Sequence, residues 1–336
     1  MPEKLTTSPV TSTIDFQRQG IWHGFLQTPH SRNDSAWGSI MTPICVINNG
    51  PGPTALLTGG NHGDEYEGPI ALFDLANNLN AEKITGRIII VPAMNYPAFQ
   101  AGTRLSPIDN LNMNRTFPGN PRGTATEKMA DYFTRILLPM ADYVLDFHSG
   151  GKTLDFVPFA ASHILDDKHL EAKCEAAVQA FNAPCSVKML EIDSVGMYDS
   201  EAESQGKVFI TTELAGGGTS TPQSVAIAKR GVHNFLVHAG ILQAQTIPAP
   251  VPGINIRMEN SDCFTFSQHH GMIEHLVSLG DTVTKGDALA CIHNIDQTGI
   301  EPETYSAKQS GLVICQHVPG LIQSGDCLAV TGSVIP

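Results

Sequence analysis

The feature that most constrains this chain is a junction that recurs three times: a short apolar run with the composition of a buried strand, ending in a glycine-rich loop. It appears as TALLT (54–58) before Gly59-Gly60, as YVLDF (143–147) before His148-Ser149-Gly150-Gly151, and as KVFITT (207–212) before Glu213-Leu214-Ala215-Gly216. Helical stretches separate these runs. EGPIALFDLANNL starts one at Glu67, and Thr124-Ala-Thr-Glu127 is a capping-box pattern that opens another through Leu138. Further helices are predicted over 167–181 and 221–242. RIIIV (87–91), an extended piece near 154–160 and VKMLEI (187–192) add strands, and residues 20–50 read as a strand-like extension. Strands alternating with helices predict an α/β fold whose sheet is covered on both faces.

The texture changes near residue 245. The segment QTIPAPVPG (245–253) carries three prolines and reads as a linker, and beyond it come short strands and Gly-Asp turns with little helical periodicity. GMIEHLVSLGDTVTKGDALACI (271–292) is echoed by GLVICQHVPGLIQSGDCLAVTG (311–332), an internal repeat offset by 40 residues. The organisation expected is an α/β domain over 1–245 with a β extension at 1–50, a linker at 246–254, and a small all-β, barrel-sandwich-like domain over 255–336. The half-repeat resembles the biotinyl/lipoyl carrier fold. Those carriers present a modified lysine between the halves, where this chain has His293-Asn-Ile-Asp-Gln-Thr, so the module reads as structural.

Composition removes several functions. Twenty Lys and Arg against 33 Asp and Glu leave a formal charge of −13, which argues against nucleic acid or an anionic membrane as partner. No apolar run approaches the ~20 residues of a membrane span, and the N-terminal segment lacks a signal-peptide core. The seven cysteines are odd in number, scattered and never in C-x-x-C spacing, as in a reduced cytoplasmic protein.

The chemistry sits at the junctions. Within Gly59-Gly60-Asn61-His62-Gly63-Asp64-Glu65, His62 and Glu65 can converge on one zinc ion, the histidine giving nitrogen and the glutamate oxygen. His148 leaves a buried strand where α/β folds build sites. Together His62, Glu65 and His148 form the three-ligand set that leaves zinc an open position, as catalytic zinc requires. Glu213, again at a strand end, is placed to take a proton from water and return it to a leaving amine. The loop between the second strand and the capped helix carries Arg104, Asn114 and Arg115. An arginine there can grip a carboxylate in bidentate fashion, and another can stabilise an oxyanion.

At these residues the sequence resembles the succinylglutamate desuccinylase/aspartoacylase family, relatives of the zinc carboxypeptidases. The family order of H-x-x-E, arginine, N-R, strand-end histidine and glutamate is met by His62/Glu65, Arg104, Asn114-Arg115, His148 and Glu213. The resemblance implies a carboxypeptidase-like mixed sheet flanked by helices, with a trailing β domain. It implies one zinc ion per chain on His62, Glu65 and His148, with Glu213 as general acid/base. Asn114 and Arg115 would hold the substrate α-carboxylate, and Arg104 would polarise the scissile carbonyl. The stretches PHSRNDSAWGSIMTP, GGNHGDEYEGPIALFDL, VPAMNYPAFQAGTR, DFHSGGKTLDF and MLEIDSVGMYD are similar to one subgroup of the family along nearly the whole chain. That likeness implies a small N-acyl amino acid as substrate: the N-alpha-acetyl-L-2,4-diaminobutyrate formed when the ectoine ring is opened. Glu191, Asp193 and Asp199 are candidates for the side-chain ammonium of such a substrate. Three other readings stay open at this point: a deacylase for another N-acyl amino acid of the aspartoacylase or succinylglutamate desuccinylase type, a zinc carboxypeptidase acting on peptides, and a metal-free carrier module using the C-terminal region. A homo-oligomer is compatible with the sequence.

Overall fold

The computed structural model describes residues 7–189 and 194–335. The N-terminal extension forms β1 (Thr11–Ser12), β2 (Gly20–Pro29) and β3 (Ser39–Asn49), the last two a long antiparallel pair running from Gly20 opposite Asn48 to Pro29 opposite Ser39. There follow β4 (Thr54–Gly59), α1 (Glu67–Asn78), β5 (Gly86–Val91), α2 (Tyr96–Ala101) and α3 (Ala125–Tyr132). The last continues through a π-helical turn (Phe133–Leu137) into α4 (Leu138–Met140). Next come β6 (Tyr143–Phe147), β7 (Leu154–Phe156), β8 (Phe159–His163), α5 (Lys168–Phe181), β9 (Cys185–Met189), α6 (Tyr198–Ser204), β10 (Val208–Glu213), α7 (Pro222–His238) and β11 (Ile254–Met258).

One large mixed sheet runs in the order β1-β2-β3-β5-β4-β6-β10-β8-β9-β11 and continues into the strands Cys327–Ile335, Gly311–His317 and Thr282–Val283. At its centre β5, β4, β6 and β10 are parallel neighbours, and β8 lies antiparallel to β10. Successive strand residues point to opposite faces, and here both faces are buried. Leu57, Ile88, Leu145 and Ile210 pack with Leu72 of α1, Phe181 of α5 and Phe235 of α7. Their neighbours Leu56, Ile89, Val144 and Phe209 pack with Met129, Tyr132 and Tyr198 on the other side. Burial on two faces explains why runs such as RIIIV are continuously apolar. Each such side chain contributes roughly 1.5–3 kcal/mol relative to exposure.

Local signals set the helix ends. Thr124 accepts from the Glu127 amide and Glu127 Oε2 accepts from the Thr124 amide at 2.7 Å, closing the capping box read in the sequence. Three helices differ from expectation, and one of them, α6, lies in a stretch where no helix was predicted. Helix α7 stops at His238, short of 242, because Gly240 takes a left-handed φ of 71° and turns buried Ile241 and Leu242 back under the sheet. Helix α2 lies in a stretch read as loop. Pro97 suits its first turn and left-handed Gly102 caps its end, so the residues that suggested loop are its punctuation.

From Ile254 onward the described residues form strands and one 3-10 turn, Ser261–Cys263. Strand β11 pairs parallel with β9 and antiparallel with Cys327–Ile335. A second, four-stranded sheet is built from Glu303–Ser306, Ala288–His293, Gly271–His275 and Leu321–Ile322, and it shares an apolar cluster with Val283, Val313, Leu328 and Ala329 of the large sheet. Among the described residues no helix is long and apolar enough to cross a membrane, and all seven cysteines are free.

Candidate active site

Parallel pairing lines up three strand ends. Gly59 of β4 sits opposite Phe147 of β6, and Thr211 of β10 opposite Asp146. The loops leaving these strands therefore emerge together at the carboxyl edge of the sheet, the usual position for a site in such folds. The first loop turns at Gly60 (φ 62°). Gly63 then passes so close to α2 that a Cβ would lie 2.0 Å from the Ala98 carbonyl carbon and oxygen, so only glycine fits. This close approach aims His62 and Glu65 back toward β6.

His62, Glu65 and His148 meet, each offering one ligand atom, with those atoms all within 4.8 Å of one another. His62 Nδ1 is 2.7 Å from Glu65 Oε1, and His148 Nδ1 is 3.0 Å from Glu65 Oε2. The other ring nitrogens are occupied. His62 Nε2 lies 3.1 Å from Asn112 Oδ1, and His148 Nε2 lies 2.8 Å from Asp146 Oδ2. Asp146 is held in turn by the Thr58 hydroxyl at 2.6 Å and the Asn61 amide at 3.2 Å. A carboxylate behind a histidine fixes its orientation and raises its basicity, as second partners do at metal sites. Burial pushes the Glu65 carboxyl up, but the two imidazoles outweigh it and hold the group below the usual carboxylate range. Burial alone would lower His148; the charges of Asp146 and Glu65 raise it well above an ordinary histidine. Two nitrogens and a carboxylate oxygen converging this closely, each braced from behind, fit a divalent cation such as zinc.

The group opens onto a cavity of about 400 Å³ that Arg104, Asn114, Arg115 and Glu213 also line. The seven residues of the family order thus border one space. Arg104 is half exposed, with Nη1 3.9 Å from Glu65 Oε1. Asn114 is buried, and its Oδ1 accepts from the Tyr198 amide at 3.0 Å. Arg115 Nη1 donates to the Asn114 carbonyl at 2.7 Å. Burial and the Glu65 charge push the Glu213 carboxyl up to about 8, and its Oε2 is buried with no hydrogen-bond partner. Such an atom beside a cation-ready group is a candidate for proton transfer. Behind it Ala215 holds a left-handed φ of 65° while its carbonyl accepts from the Gly150 amide at 2.9 Å, tying the second and third loops together. Strain of this kind clusters at functional sites.

Sequence reading passed over Asp146, although it lies two residues before His148, which directly follows β6, and so points to the same side of the extended chain; that spacing was the available signal. Asn61 and Asn112 carried no signal, since each acts through a partner brought from elsewhere. Nor did the sequence show that Met258, Phe264, Ile314 and Val330 of the C-terminal strands wall the cavity. Of the three acidic candidates for a substrate ammonium, Asp199 lines the cavity, while Glu191 and Asp193 lie outside the described residues.

A buried His-Glu-His group at the carboxyl ends of parallel strands, open on one side to a cavity holding an unpartnered carboxylate and two arginines, has the donor set of a metal-assisted hydrolase. The succinylglutamate desuccinylase/aspartoacylase catalytic domain matches residues 51–239, and the chain belongs to that family. It is 48% identical over 334 residues to the N-alpha-acetyl-L-2,4-diaminobutyric acid deacetylase of Halomonas elongata, covering 99% of this chain and 98% of that one. The product-bound ectoine utilization protein EutE (DoeB) of Ruegeria pomeroyi superimposes with a TM-score of 0.95 at 60% identity, over 98% of this chain and 99% of that one. A succinylglutamate desuccinylase from Silicibacter sp. gives a TM-score of 0.95 at 57% identity, over 98% and 100% of the two chains.

Proposed function

We propose that this chain hydrolyses N-alpha-acetyl-L-2,4-diaminobutyrate to acetate and L-2,4-diaminobutyrate, in the use of ectoine, with one zinc ion held by His62, Glu65 and His148. What carries the reading is the convergence of these three residues and Glu213 on one cavity, in a chain matching the Halomonas deacetylase over 99% of its length. When bound, zinc supplies Lewis acidity, polarising the scissile carbonyl and acidifying water. Glu213 takes the proton of the attacking water as its oxygen bonds to the acetyl carbon. The same carboxyl then delivers that proton to the departing α-amine as the C–N bond breaks. Arg104, beside Glu65 at the cavity mouth, faces the charge that grows on the carbonyl oxygen. Asn114 and Arg115 hold the α-carboxylate of the amino acid half.

In this reading the C-terminal strands form an all-β unit that serves as a wall of the cavity, and the free thiols suit a cytoplasmic enzyme. Asp146 orients His148, so Asp146→Asn is expected to weaken zinc affinity or activity about 10–100-fold. Chelator competition and kcat/KM measured on the same preparation check it, and unchanged values in both would remove that role.

The test of function is acetate or succinate release from N-alpha-acetyl-2,4-diaminobutyrate, N-acetyl-aspartate and N-succinyl-glutamate, beside a peptide panel and metal analysis. The expected result is near one zinc per chain and a clear preference for the diaminobutyrate compound. Preference for another acyl amino acid overturns the substrate and leaves the chemistry. Cleavage of peptides alone favours a carboxypeptidase.

A further inference from the structure

One carboxylate on the cavity wall has no part in the chemistry above. Asp199, in the first turn of α6, is 6% exposed and lines the same cavity as His148 and Glu213. Its Oδ1 accepts from the Ser200 amide at 2.5 Å and the Ser200 hydroxyl at 3.2 Å. Its Oδ2 lies 3.9 Å from His163 Nε2, too far for a hydrogen bond. The His163 ring is turned to another carboxylate, with Nδ1 2.9 Å from Glu203 Oε1. Two carboxylates around one imidazole leave this trio net negative even when His163 is protonated. Burial pushes the Asp199 carboxyl up from its ordinary value, so an anion there gains from any cation that reaches it.

Within the cavity, the other carboxylates of the described residues are already engaged. The cavity's carboxylates among the described residues are Glu65, Asp146, Glu213 and Asp199, and no lysine lines it. Glu65 lies between two imidazoles, Asp146 is held by Thr58, Asn61 and His148, and Glu213 carries the proton. Asp199 faces His163 at 3.9 Å, and that ring is hydrogen-bonded to Glu203 instead. Asp199 is also fixed relative to the α-carboxylate grip, because the adjacent Tyr198 amide donates to Asn114 Oδ1 at 3.0 Å. In the same lining Met189, Met197 and Phe209 give the wall an apolar surface, suited to methylene groups.

We infer that Asp199 receives the side-chain ammonium of the substrate's amino acid half and selects cationic side chains over neutral ones of the same length. The inference rests on the deacetylase reading above. With Arg115 and Asn114 on the α-carboxylate, the cavity then carries opposite charges for the two charged ends of one small molecule, with the metal group at the amide.

The experiment compares N-alpha-acetyl-2,4-diaminobutyrate with N-alpha-acetyl-norvaline, in which a methyl group stands where the ammonium is. Wild-type enzyme is expected to prefer the cationic compound. Asp199→Asn should lose at least about 30-fold in kcat/KM on it, mostly through KM, as when one partner of a buried charge pair is removed. The same variant should keep its rate on the norvaline compound, and Asp199→Glu, which keeps the charge, should retain the preference. Equal losses of Asp199→Asn on both compounds would assign Asp199 a structural role and overturn the inference, and thermal melting of each variant separates misfolding from that result. Wild-type enzyme that hydrolyses both compounds equally overturns the inference while the deacetylase reading stands. Wild-type enzyme that hydrolyses neither overturns the deacetylase reading itself.

Discussion

Glu213→Gln is expected to lower kcat for acetate release about 10²–10⁴-fold, the usual range for losing a positioned acid/base, while zinc content and KM stay near wild type. Glutamine keeps the shape of the side chain, so the surrounding packing is preserved. What disappears is the proton acceptor: Glu213 Oε2 is buried with no partner of its own, and its carboxyl is pushed up to about 8 by burial and by the Glu65 charge. A group poised near neutrality can accept a proton in one step and release it in the next. Glu213 does not belong to the His-Glu-His group, so metal binding should survive the change. Steady-state kinetics with metal analysis on one sample decide the matter, and near-normal turnover would take the acid/base role away from Glu213.

His148→Ala should reduce activity to background and bring zinc from near one per chain to near zero. Two ligands then remain of three, and the loss extends behind the site. His148 is a cationic partner of Asp146, which is 1% exposed, and it shares Glu65 with His62. Removing it leaves two buried carboxylates facing each other across a hole. Breaking a buried charge pair in this way costs about 3–5 kcal/mol, so the melting temperature should fall as well. Metal analysis and calorimetry of the variant measure both effects. Stoichiometric zinc in His148→Ala would show that the His62, Glu65 and His148 group is not the metal site.

Much of the site was legible because its residues sit beside strong local signals. His62, Glu65, His148 and Glu213 each follow an apolar strand run and stand within three residues of a glycine. A strand end that breaks into glycine advertises a loop built for close approach, and Gly63 against Ala98 is that approach in the structure. Arg104, Asn114 and Arg115 were legible through the family order of residues; the loop holding them has no periodicity of its own. Asp199 stood among three acidic residues of one segment, and nothing local separated it from the others.

What the sequence determined by itself are the features that depend on neighbours a few residues away. Strand runs apolar enough to be buried on both faces, the Thr124–Glu127 capping box and the three strand-to-glycine junctions are of this kind. Only the tertiary structure decided which residues from distant segments share a space. Parallel pairing of β4, β6 and β10 sets His62, His148 and Glu213 side by side across 151 residues of chain (213 − 62). Asp146 braces His148 only because Thr58 and Asn61 arrive from β4 and its loop. The C-terminal strands wall the cavity because Cys327–Ile335 pairs with β11, which itself pairs with β9. The physical reason is one of range: caps and turns are satisfied within the segment, whereas buried polar groups and cavity walls find their partners only through the register of the sheet.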